Sequence, residues 1–239
     1  MSGHSKWATT HRQKEVNDAK RGAAFTKIAN VITIAARKGG DPATNFSLRI
    51  AIDRARGVNM PKDNIERAIK RGTGELAGAT IEELVYEAVG PANSQLVIKI
   101  LTDNKNRTAA EIRHLLSSRG GAMGAVLWNF DLKGVIRVAA AVAEAKGMAS
   151  DEGQLELIDA GADDVKKEAE GLVILTTGAN LQKVKSYLEA KGVATESAEI
   201  EYVAKEAIEV SGDDAAKIES LLAALDENED VSDYYSNLK

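Results

Sequence analysis

Val135-Ile136-Arg137-Val138 and Leu172-Val173-Ile174-Leu175-Thr176 are the two runs whose reading decides the fold. Each is a short apolar run bounded by glycine, too brief for a helix and rich in β-branched residues, so each reads as a strand. Between and around them the pattern continues as helix (Glu152 to Ala160), strand (Asp164 to Ala169), helix (Leu181 to Lys191) and strand (Glu196 to Tyr202). The resulting order, β-α-β-β-α-β, is the split βαβ of a ferredoxin-like domain.

Upstream of this series lie two strand-like runs, Leu84 to Val89 and Leu96 to Leu101, joined by the turn Gly90-Pro91-Ala92-Asn93. A helix from Arg107 to Arg119 ends at Gly120-Gly121, and Val126 to Phe130 reads as another strand. Downstream, Ala207 to Val210 (strand), Asp213 to Leu225 (helix) and Val231 to Tyr235 (strand) are too short to stand alone. Joined to the upstream strand–helix–strand, they make a second ferredoxin-like set. The expected architecture is therefore α+β. A helical domain over residues 1–75 precedes an α/β domain of residues 76–133 plus 205–239, and an α/β domain of residues 134–204 is inserted into the latter.

The first domain reads as a three-helix bundle behind a polar arm. Phe25, Ile28, Ala29, Ile32, Ala35 and Ala36 recur with helical spacing within Asp18 to Lys38. A second helix runs from about Asn45 to Val58, with Leu48, Ala51, Ile52 and Ala55 inward. The third spans Pro61 to Arg71, with proline at its first position and Gly72 as the expected C-cap. From Ser2 to about Val16 no such period exists, so an arm that orders on binding is expected.

Charge separates these regions. Residues 1–72 hold 15 Lys and Arg against 6 Asp and Glu, a net of +9 in a chain whose total is −5, which leaves −14 for the remainder. A basic head on an acidic body points to a polyanionic partner for the head alone. The cations expected to neutralise phosphate are Lys6, Arg12, Lys14, Lys20, Arg21, Lys27, Lys62, Arg67, Lys70 and Arg71, with His11 beside them. Trp7 either stacks on a base or ribose, or pins the arm to the helices behind it. Lys105 and Arg107, in Asp103-Asn104-Lys105-Asn106-Arg107-Thr108, form a possible secondary contact at a helix start. The alternative for that stretch is a turn capped by Asn106.

Several classes are disfavoured by composition. The chain has no cysteine, which excludes disulfides and thiolate zinc sites. Its three histidines, His4, His11 and His114, lack ligand-spaced partners, so neither a metal nor a catalytic role is expected, and no cofactor is implied. No apolar run approaches the roughly 20 residues of a membrane span. A cytoplasmic location is expected.

Ser2-Gly3-His4-Ser5-Lys6-Trp7, Asp18-Ala19-Lys20-Arg21, Gly39-Gly40-Asp41-Pro42, Asn59-Met60-Pro61-Lys62-Asp63-Asn64-Ile65 and Thr102-Asp103-Asn104-Lys105-Asn106-Arg107-Thr108 resemble the YebC/PmpR family, which also contains the mitochondrial translational activator of cytochrome c oxidase subunit I. The resemblance is dense from Ser2 to about Ile136. It implies three domains and a non-enzymatic DNA-binding transcriptional regulator. The alternative it implies is a ribosome-associated factor that binds ribosomal or transfer RNA and relieves stalls such as those at consecutive prolines. DNA or RNA would meet the head, and ribosome or transcription machinery the acidic domains. Where the family has Tyr-Glu-Gly-Tyr-Gly-Pro-Gly-Gly, this chain has Tyr86-Glu87-Ala88-Val89-Gly90-Pro91-Ala92-Asn93. Thr9-Thr10-His11-Arg12 replaces the usual Ile-Lys-His-Arg, and the loop after Gly120-Gly121 is about three residues short.

Overall fold

Helix α1 (Asp18–Ala36) opens the computed structural model, which describes residues 18–239, with side chains from Gly22 onward apart from Ala23. The expectations for Lys6, Trp7, His11, Arg12 and Lys14, and for the side chains of Lys20 and Arg21, lie outside the described residues. Ile28, Ile32, Ala35 and Ala36 of α1 are buried against α2 (Phe46–Gly57) and α3 (Lys62–Thr73), as their spacing predicts. Asn45 links two helix ends. Its Oδ1 accepts from Leu48 N–H as the N-cap of α2, while its Nδ2 donates to the Ala35 carbonyl in the last turn of α1 and to the Gly39 carbonyl just beyond it.

The end of α3 differs from the sequence expectation. The helix runs through Gly72 to Thr73, and Gly74, at φ 83°, is the left-handed cap. Gly72 serves the packing instead. A Cβ there would collide with the Thr33 carbonyl oxygen and stand 2.6 Å from Ala36 Cβ. Its missing side chain is what lets α1 and α3 approach this closely. Thr33 Oγ1, itself buried, donates to the Ala29 and Ala68 carbonyls at that crossing.

The described chain divides into two compact units, one of the residues up to Asn129 plus Ala204–Lys239, the other Phe130–Val203. In the first, β1 (Glu82–Val89), β2 (Gln95–Thr102), β3 (Ala122–Met123) and β8 (Val231–Ser236) form an antiparallel sheet in the order β3-β1-β2-β8. Helices α4 (Lys105–Ser117) and α8 (Asp213–Glu227) cover one face, burying Ile112, Leu116, Ile218, Leu221 and Leu225 against Leu96, Ile98 and Ile100. Each such fully buried Leu or Ile contributes about 1.5–3 kcal/mol.

Beyond the helical head of this unit, two strands, β1 and β2, precede helix α4, so the element order departs from the ferredoxin-like set expected for residues 76–133 plus 205–239. Val126 to Phe130 is not a single strand. Glu87 Oε2 accepts the N–H groups of both Val126 (2.6 Å) and Leu127 (2.8 Å), curling the chain into a 3-10 turn at Leu127–Asn129. Ala207 to Val210 forms only one bridge, Ile208 to Leu238, because its hydrogen bonds go to the chain's last residues rather than to the sheet. The turn Pro91–Asn93 keeps left-handed backbone at Ala92 (φ 54°) and Asn93 (φ 58°) although the glycines that the family pattern has at these two positions are absent.

The second unit comprises β4 (Phe130–Ala139), α5 (Ala140–Ala145), α6 (Asp151–Ala160), β5 (Ala162–Lys167), β6 (Gly171–Thr176), α7 (Leu181–Ala190) and β7 (Ser197–Ala204), with sheet order β5-β6-β4-β7. A short helix, α5, is added ahead of the one expected between the first two strands. Val135–Val138 and Leu172–Thr176 lie in β4 and β6, the two central strands. Ile136, Val138 and Ile174 are buried with Leu157, Val184 and Leu188 of the helices. Arg137 alternates to the other face and forms a bidentate pair with Glu201 of β7 at 2.6 and 2.9 Å, both side chains nearly fully buried. Asn129 and the returning chain are joined by Lys205 N–H to the Asn129 carbonyl (2.8 Å) and Glu206 N–H to its Oδ1 (2.9 Å).

Candidate nucleic-acid interface

The described cations of the head fall into two groups. Arg67 and Lys70 are exposed on α3 and have no ion-pair partner among the described residues. Lys62, at the start of the same helix, is highly exposed and pairs with Glu66 one turn on at 3.4 Å. An exposed i,i+4 pair of this kind contributes a few tenths of a kcal/mol and leaves the ammonium accessible. Arg71 is half-buried instead. It lies along the linker, 3.1 Å from where a Cβ on Gly78 would stand, and its Nε is buried without a hydrogen-bond partner among the described residues.

The second group faces inward. Lys27 Nζ donates to the Asp226 carbonyl at 2.6 Å, at the end of α8. Burial pushes the Lys27 ammonium below its usual range, with the charges of Asp226 and Asp233 opposing the shift. Arg54 reaches Asp233 of β8 with both Nη atoms, at 3.3 and 3.5 Å, and Arg37 donates to the Ile81 carbonyl. Strand alternation aims Asp233 at the head while its neighbour Tyr234 joins the core beneath α8. Lys27, read from sequence as a phosphate contact, thus serves to dock the head. Arg37 and Arg54 were not singled out from sequence, and no local pattern marks them.

The Asp103–Thr108 stretch is also engaged internally. Asn104, not Asn106, caps α4 by accepting from Arg107 N–H at 3.1 Å. Asp230, from the far end of the chain, accepts from Thr102 and Thr108 hydroxyls and from Arg107 Nη2 at 3.2 Å. Asp103 and Glu111 flank the same guanidinium at 3.2 and 3.9 Å. The hydrogen bond to Asp230, and then its charge, raise the Arg107 pKa further. A carboxylate therefore already stands at this helix start, and only Lys105 is exposed there without an ion pair among the described residues. Among those residues no group of three or more His, Cys, Asp or Glu is able to hold a metal ion, and no helix is long and apolar enough to cross a membrane.

A family model described as the TACO1/YebC protein N-terminal domain matches residues 5–75, and one described as the TACO1/YebC second and third domain matches residues 81–238. The chain belongs to the TACO1/YebC family. Relatives that share its length include probable transcriptional regulatory proteins from Pseudothermotoga lettingae and Pelotomaculum thermopropionicum. The first is 48% identical, with 100% of this chain and 94% of the relative covered; the second is 46% identical, with 99% and 98% covered. The fold is similar to the crystal structure of a conserved hypothetical protein from Aquifex aeolicus, with a TM-score of 0.80 at 39% identity over 93% of this chain and 91% of that one. The TACO1/YebC relatives are thus named for regulation rather than for an enzymatic reaction.

Proposed function

We propose that this chain is a cytoplasmic, non-enzymatic nucleic-acid-binding regulator, and that its basic head binds DNA to control transcription. The observation that carries the reading is the set of exposed cations Lys62, Arg67 and Lys70 on one helix of a head whose net charge is +9. These groups, with the cations of residues 1–21, would neutralise phosphates, and each such contact releases counterions. The docked cations Lys27, Arg37 and Arg54 hold that surface on the acidic body, whose charge turns the polyanion toward the head.

A second reading, a ribosome-associated translation factor that binds ribosomal or transfer RNA, is favoured by one feature. The exposed face of α3 interleaves Asp63 and Glu66 with its cations, which suits irregular RNA better than insertion into a continuous duplex groove. Crosslinking in growing cells, with sequencing of both recovered DNA and recovered RNA, separates the two. Discrete promoter peaks support transcriptional control, and dominance of ribosomal and transfer RNA supports the second reading. Recovery of neither overturns both. Arg67→Glu with Lys70→Glu should abolish the recovered species and, in vitro, lower the slope of log K against log salt by about one for each phosphate no longer neutralised.

A further inference from the structure

Helix α6 of the second unit turns two large apolar side chains to solvent. Leu155 is 65% exposed and Ile158 43%, one helical turn apart. Asp151, Glu152 and Asp159 surround them on the same face by helical spacing, and all three are exposed. None of the three has an ion-pair partner among the described residues. Between Asp151 and Asp164 the chain holds six acids and no Lys or Arg; Glu156, Asp163 and Asp164 pair with Lys191, Lys133 and Lys166, which leaves the three outer acids of α6. The helix's other polar flank differs: Glu156 accepts from Tyr187 Oη at 2.6 Å and from Lys191 Nζ at 3.0 Å, which secures α6 to α7. Gly153, Leu157 and Ala160 are the buried side. The outward face is therefore apolar at its centre and uncompensated in charge at its rim.

We infer that this face docks a basic segment of a partner protein, one that sets apolar side chains over Leu155 and Ile158 and Lys or Arg against Asp151, Glu152 and Asp159. An apolar centre inside a charged rim is the anatomy of a protein interface, and rim charges of one sign select the opposite sign. Nucleic acid is repelled by the same carboxylates. A second copy of this chain offers the face only its own acids, unless the basic head seats there.

The test uses the full chain carrying the photoreactive residue p-benzoylphenylalanine in place of Ile158, irradiated in cells, with the crosslinked peptide identified. The expected adduct is a protein segment rich in Lys and Arg. Its yield should fall roughly tenfold or more with Leu155→Asp and also with Asp151→Asn/Glu152→Gln/Asp159→Asn. Leu155→Asp is informative because it adds negative charge, so attraction of unspecific cations would rise rather than fall. Thermal melting of each variant controls for folding, and Leu155→Gln replaces Leu155→Asp if the latter melts early. An adduct to nucleic acid, an adduct to a second copy, no adduct, or a yield indifferent to either substitution overturns the inference. Arg67→Glu/Lys70→Glu should leave the adduct unchanged, so failure here and failure of the nucleic-acid reading are distinguishable.

Discussion

Two acid-rich stretches of this chain look alike in composition and behave differently in the fold. Asp226, Asp230 and Asp233 belong to the C-terminal stretch, and each is engaged inside the first unit. The Asp226 carboxylate accepts from Tyr234 Oη at 3.1 Å while its backbone carbonyl takes Lys27, Asp230 gathers Thr102, Thr108 and Arg107, and Asp233 takes Arg54. Asp151, Glu152 and Asp159 of α6 have no such partners among the described residues. Acidic composition therefore does not tell which carboxylates hold a fold together and which remain available to a partner. That depends on whether a cation is brought from elsewhere in the chain.

Breaking the engaged carboxylates should cost stability in proportion to their burial. Glu201→Ala leaves Arg137 buried without its counter-ion and should destabilise the second unit by about 3–5 kcal/mol in denaturant unfolding. The double variant Arg137→Met/Glu201→Leu should recover most of that loss. Asp230→Ala removes a charged acceptor from three donors and should cost about 2 kcal/mol. Asp233→Asn loosens the partly exposed Arg54 pair and should cost about 1 kcal/mol or less, a difference that shrinks at high salt.

Glu156 sharpens the comparison from within α6 itself. Hydrogen bonds from Tyr187 and then Lys191 hold its carboxyl below the usual carboxylate range. A depressed folded pKa adds stability above the unfolded value of about 4.3 and loses it as pH falls through the folded one. Tyr187→Phe should remove part of that increment, flattening the acid limb of stability against pH in this window. Asp151→Asn/Glu152→Gln/Asp159→Asn should cost no more than about 1 kcal/mol, the helix-dipole contribution of Asp151 and Glu152 in the first turn of α6, because these acids hold no described partner. A large loss there would mean that they are structural after all and would break the contrast.

Much of the fold was legible because its signals are local. The 3.6-residue period of Phe25 to Ala36 and the runs Val135–Val138 and Leu172–Thr176 each imprint their element within a few residues. Misreadings arose where a distant group overrode the local signal. Gly72 reads as a helix stop, yet it is where α1 presses on α3, and Gly74 ends the helix. Val126 to Phe130 reads as a strand until Glu87 takes two of its N–H groups. In the candidate site, Lys62, Arg67 and Lys70 were recognisable as exposed by their helical phase. Lys27 was not recognisable as a docking residue, since its acceptor lies 199 residues away.

By itself the sequence determined most of the helices and strands, that the head is basic and the body acidic, and which family motifs are present. Those properties depend on periodicity, composition and short-range pattern. The tertiary structure alone decided which charges meet: Lys27 with the end of α8, Asp230 with the start of α4, Arg137 with Glu201, and nothing described with the outer acids of α6. A charge carries no label for its partner, because Coulomb attraction has no register along the chain. Only the path of the backbone brings particular groups within a few ångströms of one another.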